Sequence, residues 1–132
     1  AAEVEVDQEV RLRRVWCSAD AGLVINPDGA RNQLEGGIIQ AASMVVKEQV
    51  RLEGSGVASL DWDAYPILRF SEIPEIDTEI LDARDEPTLG MGECTFGPTA
   101  AAVGNAVAHA LGVRIRDMPL TRERIAAVLV RG

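Results

Sequence analysis

Histidine and cysteine are scarce in this chain of 132 residues: His109 is the single histidine, and Cys17 and Cys94 are the two thiols. A cysteine-ligated iron–sulfur cluster takes four thiolates, so none is built from this chain alone, and a structural zinc site is not expected. The spacing of the two cysteines does not by itself establish a disulfide. Long apolar runs are also missing. None approaches the roughly 18 to 20 residues that span a bilayer, and residues 1 to 16 lack the apolar centre of a secretory signal, so no transmembrane segment is expected. Basic charge is in deficit, with 13 Lys and Arg against 21 Asp and Glu and a net charge of −8. Binding to a phosphate backbone depends on cationic side chains, so no nucleic-acid partner is expected. The chain lacks an initial Met and opens A-A-E-V-E-V-D. That opening reads as the interior of a longer protein or a processed end, and leaves a soluble protein's compartment open between cytoplasm and periplasm.

What is present fits one globular domain spanning residues 1–132: 47% of residues are apolar and 26% charged. Residues 3 to 16 alternate apolar and polar side chains and predict two strands with a turn near Asp7–Gln8. The second strand is expected to run through Cys17 to Ala19. Asn26 then caps a helix whose first position is Pro27. Ala30, Leu34, Ile38, Ala41, Ala42 and Val45 recur at helical spacing to about Glu48. Gly36–Gly37 interrupts that pattern and is read as close packing against a sheet.

A turn falls at Gly54–Ser55–Gly56, an extended segment at residues 59–70, and a strand after Pro74. The seven acids between Ser71 and Glu86 read as a solvated face. A thin, alanine-rich helix is expected from Pro98 to Leu111, with Gly112 in the left-handed position beyond it. Asn105 and His109 on that helix read as structural. A last helix begins at the cap Thr121 and runs to about Val130, with Leu120 and Ile125 as its staple. Strands mixed with about three helices define an α+β class with a mixed sheet.

The unusual stretch is G-M-G-E-C-T-F-G-P, Gly90 to Pro98. Its glycines let main chain pass close to another object, and one carboxylate, Glu93, sits among them just before a helix. The spacing matches neither nucleotide-binding glycine fingerprint. On chemistry alone Glu93 is either a helix cap or arginine partner, or a general base in a dry cleft.

Residues 90 to 120, G-M-G-E-C-T-F-G-P-T-A-A-A-V-G-N-A-V-A-H-A-L-G-V-R-I-R-D-M-P-L, resemble the C-terminal part of the molybdenum-binding large subunit of molybdenum hydroxylases. This is the family of xanthine dehydrogenase and aldehyde oxidoreductase. The block D-A-G-L-V-I-N-P-D-G-A-R-N-Q-L-E-G-G-I-I-Q, residues 20–40, resembles the same family. Residues 63–76, D-A-Y-P-I-L-R-F-S-E-I-P-E-I, look most like the isoquinoline 1-oxidoreductase β-subunit branch.

The resemblance implies a portion of a molybdopterin-binding domain in a longer subunit. Its implied activity is hydroxylation of an N-heterocycle or aldehyde with water-derived oxygen, electrons leaving through [2Fe-2S] clusters on an iron–sulfur small subunit. Glu93 falls on the family's catalytic glutamate, which takes a proton as oxygen is added to an electron-poor carbon. Gly90, Met91 and Gly92 match the loop that lies beside the molybdopterin, expected as a dinucleotide, and Gln33 matches a glutamine near the cofactor. No side chain of this chain is implied as a metal ligand. Cys94 departs from the family pattern and reads as a small buried residue. The isolated chain is expected to be inactive. A non-catalytic α/β assembly module is the alternative from another class.

Overall fold

The computed structural model describes residues 1–130. Strands β1 (Ala2–Val6) and β2 (Val10–Ala19) form an antiparallel hairpin, and β5 (Glu75–Ile80) joins the other edge of β2 in parallel, giving the order β1-β2-β5. The sheet is therefore mixed, as the sequence pattern predicts. Two short strands, β3 (Leu52–Glu53) and β4 (Gly56–Val57), form a separate small hairpin around Gly54 and Ser55. Three helices complete the fold: α1 (Pro27–Val46), α2 (Phe96–Leu111) and α3 (Arg122–Leu129).

Alternation along the hairpin, shifted once where the register skips Arg13, decides which sheet face is covered. Val10, Leu12 and Val15 are buried on one face with Ile38, Ala42 and Val45 of α1, Val103 and Val107 of α2, and Leu120 and Ile125. Each fully buried aliphatic side chain of this kind contributes about 1.5–3 kcal/mol. The opposite face is charged and wet. Arg13 pairs with Glu5, Arg14 donates to Asp77 across the parallel pair, and the Arg14 guanidinium stacks 5.2 Å from the Trp16 ring centre. The acidic run behaves as a solvated face, with all its acids exposed except Glu72, which pairs with Lys47.

Helix ends follow local chemistry. Asn26 Oδ1 accepts from the Gly29 N–H at 3.0 Å, closing the start of α1, and Gly112 at φ 70° ends α2. Thr121 accepts from the Arg124 N–H to start α3. Helix α2 begins two residues earlier than Pro98 suggests, at Phe96. Proline is tolerated there because the first N–H groups of a helix have no intrahelical partner.

Residues 59–70 are not uniformly extended. Asp61 builds a turn, its carboxylate accepting from the Ala64 N–H at 2.8 Å and its carbonyl from the Tyr65 N–H at 2.8 Å. From Pro66 the chain has no regular structure until a 3-10 turn at Phe70–Glu72, which Arg69 enters in an extended conformation. Among the described residues no helix is long and apolar enough to cross a membrane.

Candidate active site

The glycine-rich loop leaves β5 and returns to the fold at α2, and it is tied down along the way. Asp20 Oδ1 accepts from the Gly22 N–H at 3.0 Å, bending the chain after β2. Gly22 takes φ 61°, and a Cβ there would lie 1.9 Å from the Pro87 carbonyl oxygen, so only glycine admits the approach. Leu23 N–H donates to the Glu86 carbonyl at 3.2 Å, Leu89 N–H to the Ala21 carbonyl at 2.8 Å, and Thr88 Oγ1 to the Leu23 carbonyl at 3.0 Å. These bonds deliver Gly90 to a fixed point.

Beyond it, the residues singled out by sequence come together in part. Gln33 Nε2 donates to the Gly92 carbonyl at 2.5 Å, joining α1 to the residue before Glu93. Gly90, Gly92, Gln33 and Glu93 are exposed, and Met91 is half-buried. A Cβ at Gly90 or Gly92 would meet nothing within 4 Å, so that backbone is open to an incoming group. The Glu93 carboxylate makes no hydrogen bond or ion pair among the described residues, while its carbonyl accepts from the Phe96 N–H at 3.2 Å. It is neither a helix cap by side chain nor an arginine partner. The dry surroundings that a base needs are not supplied by this chain.

Cys94 is exposed rather than buried, its thiol 3.6 Å from the Met91 carbonyl, because the loop turns it outward between Glu93 and the start of α2. Cys17 and Cys94 are both free thiols and line one cleft of about 320 Å³ with Trp16, Thr95 and Thr99. Burial pushes the Cys17 thiol up, and Cys94 adds to the effect. Glu93 does not line that cleft. Asn105 accepts from Arg114 at 2.8 Å, which agrees with a structural role.

Gly36–Gly37 does not pack on the sheet. Gly36 has nothing near it, whereas a Cβ at Gly37 would sit 2.3 Å from Thr95 Oγ1 and 3.7 Å from the Phe96 ring. Thr95, buried and hydrogen-bonded to the Leu34 carbonyl at 3.4 Å, is the site-supporting residue that sequence reasoning missed. Asp20–Ala21–Gly22 forms the turn that the sequence signals after the second strand, aspartate two residues before glycine being a turn pattern.

An open glycine loop, an exposed amide and an exposed carboxylate thus lie together at one surface of the chain. Residues 1–74 match the model of the molybdopterin cofactor-binding domain, and the chain belongs to that family. One of the nicotinate dehydrogenase subunits of Pseudomonas putida is 47% identical over 131 residues, which cover 97% of this chain and 11% of that protein. The isoquinoline 1-oxidoreductase β-subunit of Brevundimonas diminuta is 32% identical over 114 residues, covering 86% of this chain and 14% of the relative. The crystal structure of quinoline 2-oxidoreductase from Pseudomonas putida 86 superposes with a TM-score of 0.76 at 30% identity, covering 89% of this chain and 16% of that one. The chain thus spans only a small part of each relative.

The residues present fit part of a molybdopterin cradle, since the backbone at Gly90 and Gly92 is open and the Glu93 carboxylate is uncommitted among the described residues. Among the described residues no group of three His, Cys, Asp or Glu side chains could hold a metal directly.

Proposed function

We propose that residues 1–132 are one C-terminal portion of the molybdopterin-binding domain of a hydroxylase subunit, and that Glu93 is its general base. The observation that carries this reading is the combination of a fixed backbone and a free carboxylate at Glu93, with Gln33 fastening the preceding carbonyl at 2.5 Å. The substrate is an N-heterocycle or an aldehyde, because hydroxylation with water-derived oxygen requires an electron-poor carbon. Each turnover converts a C–H bond and one water into C–OH, two protons and two electrons.

Glu93 takes one of those protons at its carboxylate. Gly90, Met91 and Gly92 bring main chain beside the cofactor, where side chains at the glycines would obstruct approach, and the Gln33 amide lies at the same wall. Molybdopterin, as a dinucleotide, supplies the redox chemistry when bound. The remainder of the large subunit closes the other walls and excludes water, and an iron–sulfur small subunit accepts the electrons at its [2Fe-2S] clusters. The isolated chain, holding one wall, lacks turnover.

The test is Glu93→Gln in the complete, cofactor-loaded assembly. The amide keeps the shape and removes the base, so turnover falls by orders of magnitude at unchanged molybdenum content. Parental turnover in that variant overturns the assignment and favours a module that keeps the fold without the chemistry.

A further inference from the structure

Helix α1 touches the glycine-rich loop on both sides of Glu93. Upstream, Gln33 Nε2 donates to the Gly92 carbonyl at 2.5 Å. Downstream, Thr95 Oγ1 donates to the Leu34 carbonyl at 3.4 Å, and Thr95 is only 6% exposed. Gly37, one helical turn beyond Gln33, leaves the space that Thr95 fills, since a Cβ there would come within 2.3 Å of the hydroxyl. Gln33, Leu34 and Gly37 therefore lie on one side of a single turn and grip the residues at positions −1 and +2 from Glu93.

The grip is on backbone and on Thr95, never on the carboxylate. A proton acceptor needs its main chain held, so that the carboxylate oxygens occupy a defined place, and its side chain uncommitted, so that a reacting group can use it. Gln33 and Thr95 supply the first condition without spoiling the second. One N–H of the Gln33 amide is directed at protein, which gives it a task on the loop backbone, while its second N–H and its oxygen stay free among the described residues.

Resting on Glu93 as the base, we propose that Gln33 and Thr95 are positioning residues for the reaction, acting through the backbone of the Gly92–Thr95 segment, with Gly37 as the socket that lets Thr95 seat. Gln33→Glu keeps length and shape but cannot donate to a carbonyl. Thr95→Val keeps shape and removes the hydroxyl, and Thr95→Ser retains it.

The experiment uses the complete, cofactor-loaded subunit with its electron-accepting partner. Misplacement of a reacting group by about 1 Å costs on the order of a hundredfold, so Gln33→Glu and Thr95→Val are each expected to lower kcat about tenfold to a hundredfold. KM stays within about twofold, since substrate contacts are untouched. Thr95→Ser recovers most of the loss. Molybdenum and pterin contents stay at parental levels, and amide hydrogens of residues 90–96 exchange faster in both impaired variants. In a Glu93→Gln background, Gln33→Glu causes no additional loss, because both changes act through the same group.

Parental kcat and parental exchange in Gln33→Glu and Thr95→Val, beside an inactive Glu93→Gln, overturn this inference alone. Loss of molybdenum or pterin from Gln33→Glu also overturns it and makes Gln33 a cofactor contact. Parental turnover in Glu93→Gln overturns the base reading instead. Gln33 is exposed, so its variant leaves the core intact even where Thr95→Val does not fold.

Discussion

The two halves of α1 do different work within one continuous helix. From Ile38 onward its inward face is aliphatic, and Ile38, Ala42 and Val45 disappear into the core against β2 and α2. Before Ile38, the turn from Gln33 to Gly37 offers an amide, a carbonyl and an absent side chain to the loop that carries Glu93. One half is held by area removed from water, which is strong and indifferent to small displacements. The other half buries Leu34 as well, and adds hydrogen bonds and a close fit, which contribute less but fix position. A single rigid rod thereby transfers the order of the core to an exposed carboxylate.

The comparison can be broken or sharpened in order of expected effect. At the loop end, the largest change is the Glu93→Gln collapse of kcat in the loaded assembly, read by steady-state kinetics alongside molybdenum content. At the core end, Ile38→Ala should destabilise the 132-residue chain by about 2–5 kcal/mol in urea unfolding, with no comparable loss from truncating exposed Met44. Equal losses at both positions would erase the distinction between the two faces.

Between the halves, adjacent glycines provide a matched pair. Gly37→Ala drives a methyl into Thr95 and should cost about 1–3 kcal/mol. Gly36→Ala points into open space and should stabilise by up to about 1 kcal/mol through helix propensity. Thermal unfolding of the two variants side by side reads the difference, and equal shifts would remove the close fit from the account.

The smallest effect sits beyond the C-terminal end of α1. Burial pushes the Glu72 carboxyl up, but hydrogen bonds from Lys47 and from the Arg69 N–H outweigh it and hold the group below its ordinary value. A carboxyl depressed in the folded state contributes stability that is present above the unfolded value. That contribution is lost as pH falls from the ordinary carboxylate range through the lower folded value. For a pair this open to water it amounts to less than about 1 kcal/mol. Lys47→Met should flatten the acid limb of a stability–pH curve, and an unchanged curve would show that the pair contributes nothing.

Local signals were legible in the sequence because their causes are local. Asn26 before Pro27, alternation through Val10 and Leu12, Pro74 before β5, and Gly112 after α2 each act within a few residues. The Gly90–Glu93 loop stood out by its glycines and single carboxylate, Gln33 was singled out by resemblance, and the structure brings Gln33 against Gly92. The Gly37–Thr95 fit was not legible, because it depends on which helix turn meets which loop across distant parts of the chain. Gly36 and Gly37 look alike in sequence and differ only in what stands opposite them. The Asp61 turn was passed over because Pro66, which interrupts a helix and pushes Tyr65 toward β, suggested extension, while a carboxylate bond to Ala64 was decisive.

The parallel pairing of β2 with β5 has a kinetic consequence. Residues 20–74 separate the two strands, whereas β1 and β2 are joined by a short turn. A hairpin closes in roughly 1–10 μs, but distant strands must wait for the intervening chain to surrender its freedom. During refolding the β1–β2 ribbon is therefore expected to form before β5 pairs with β2.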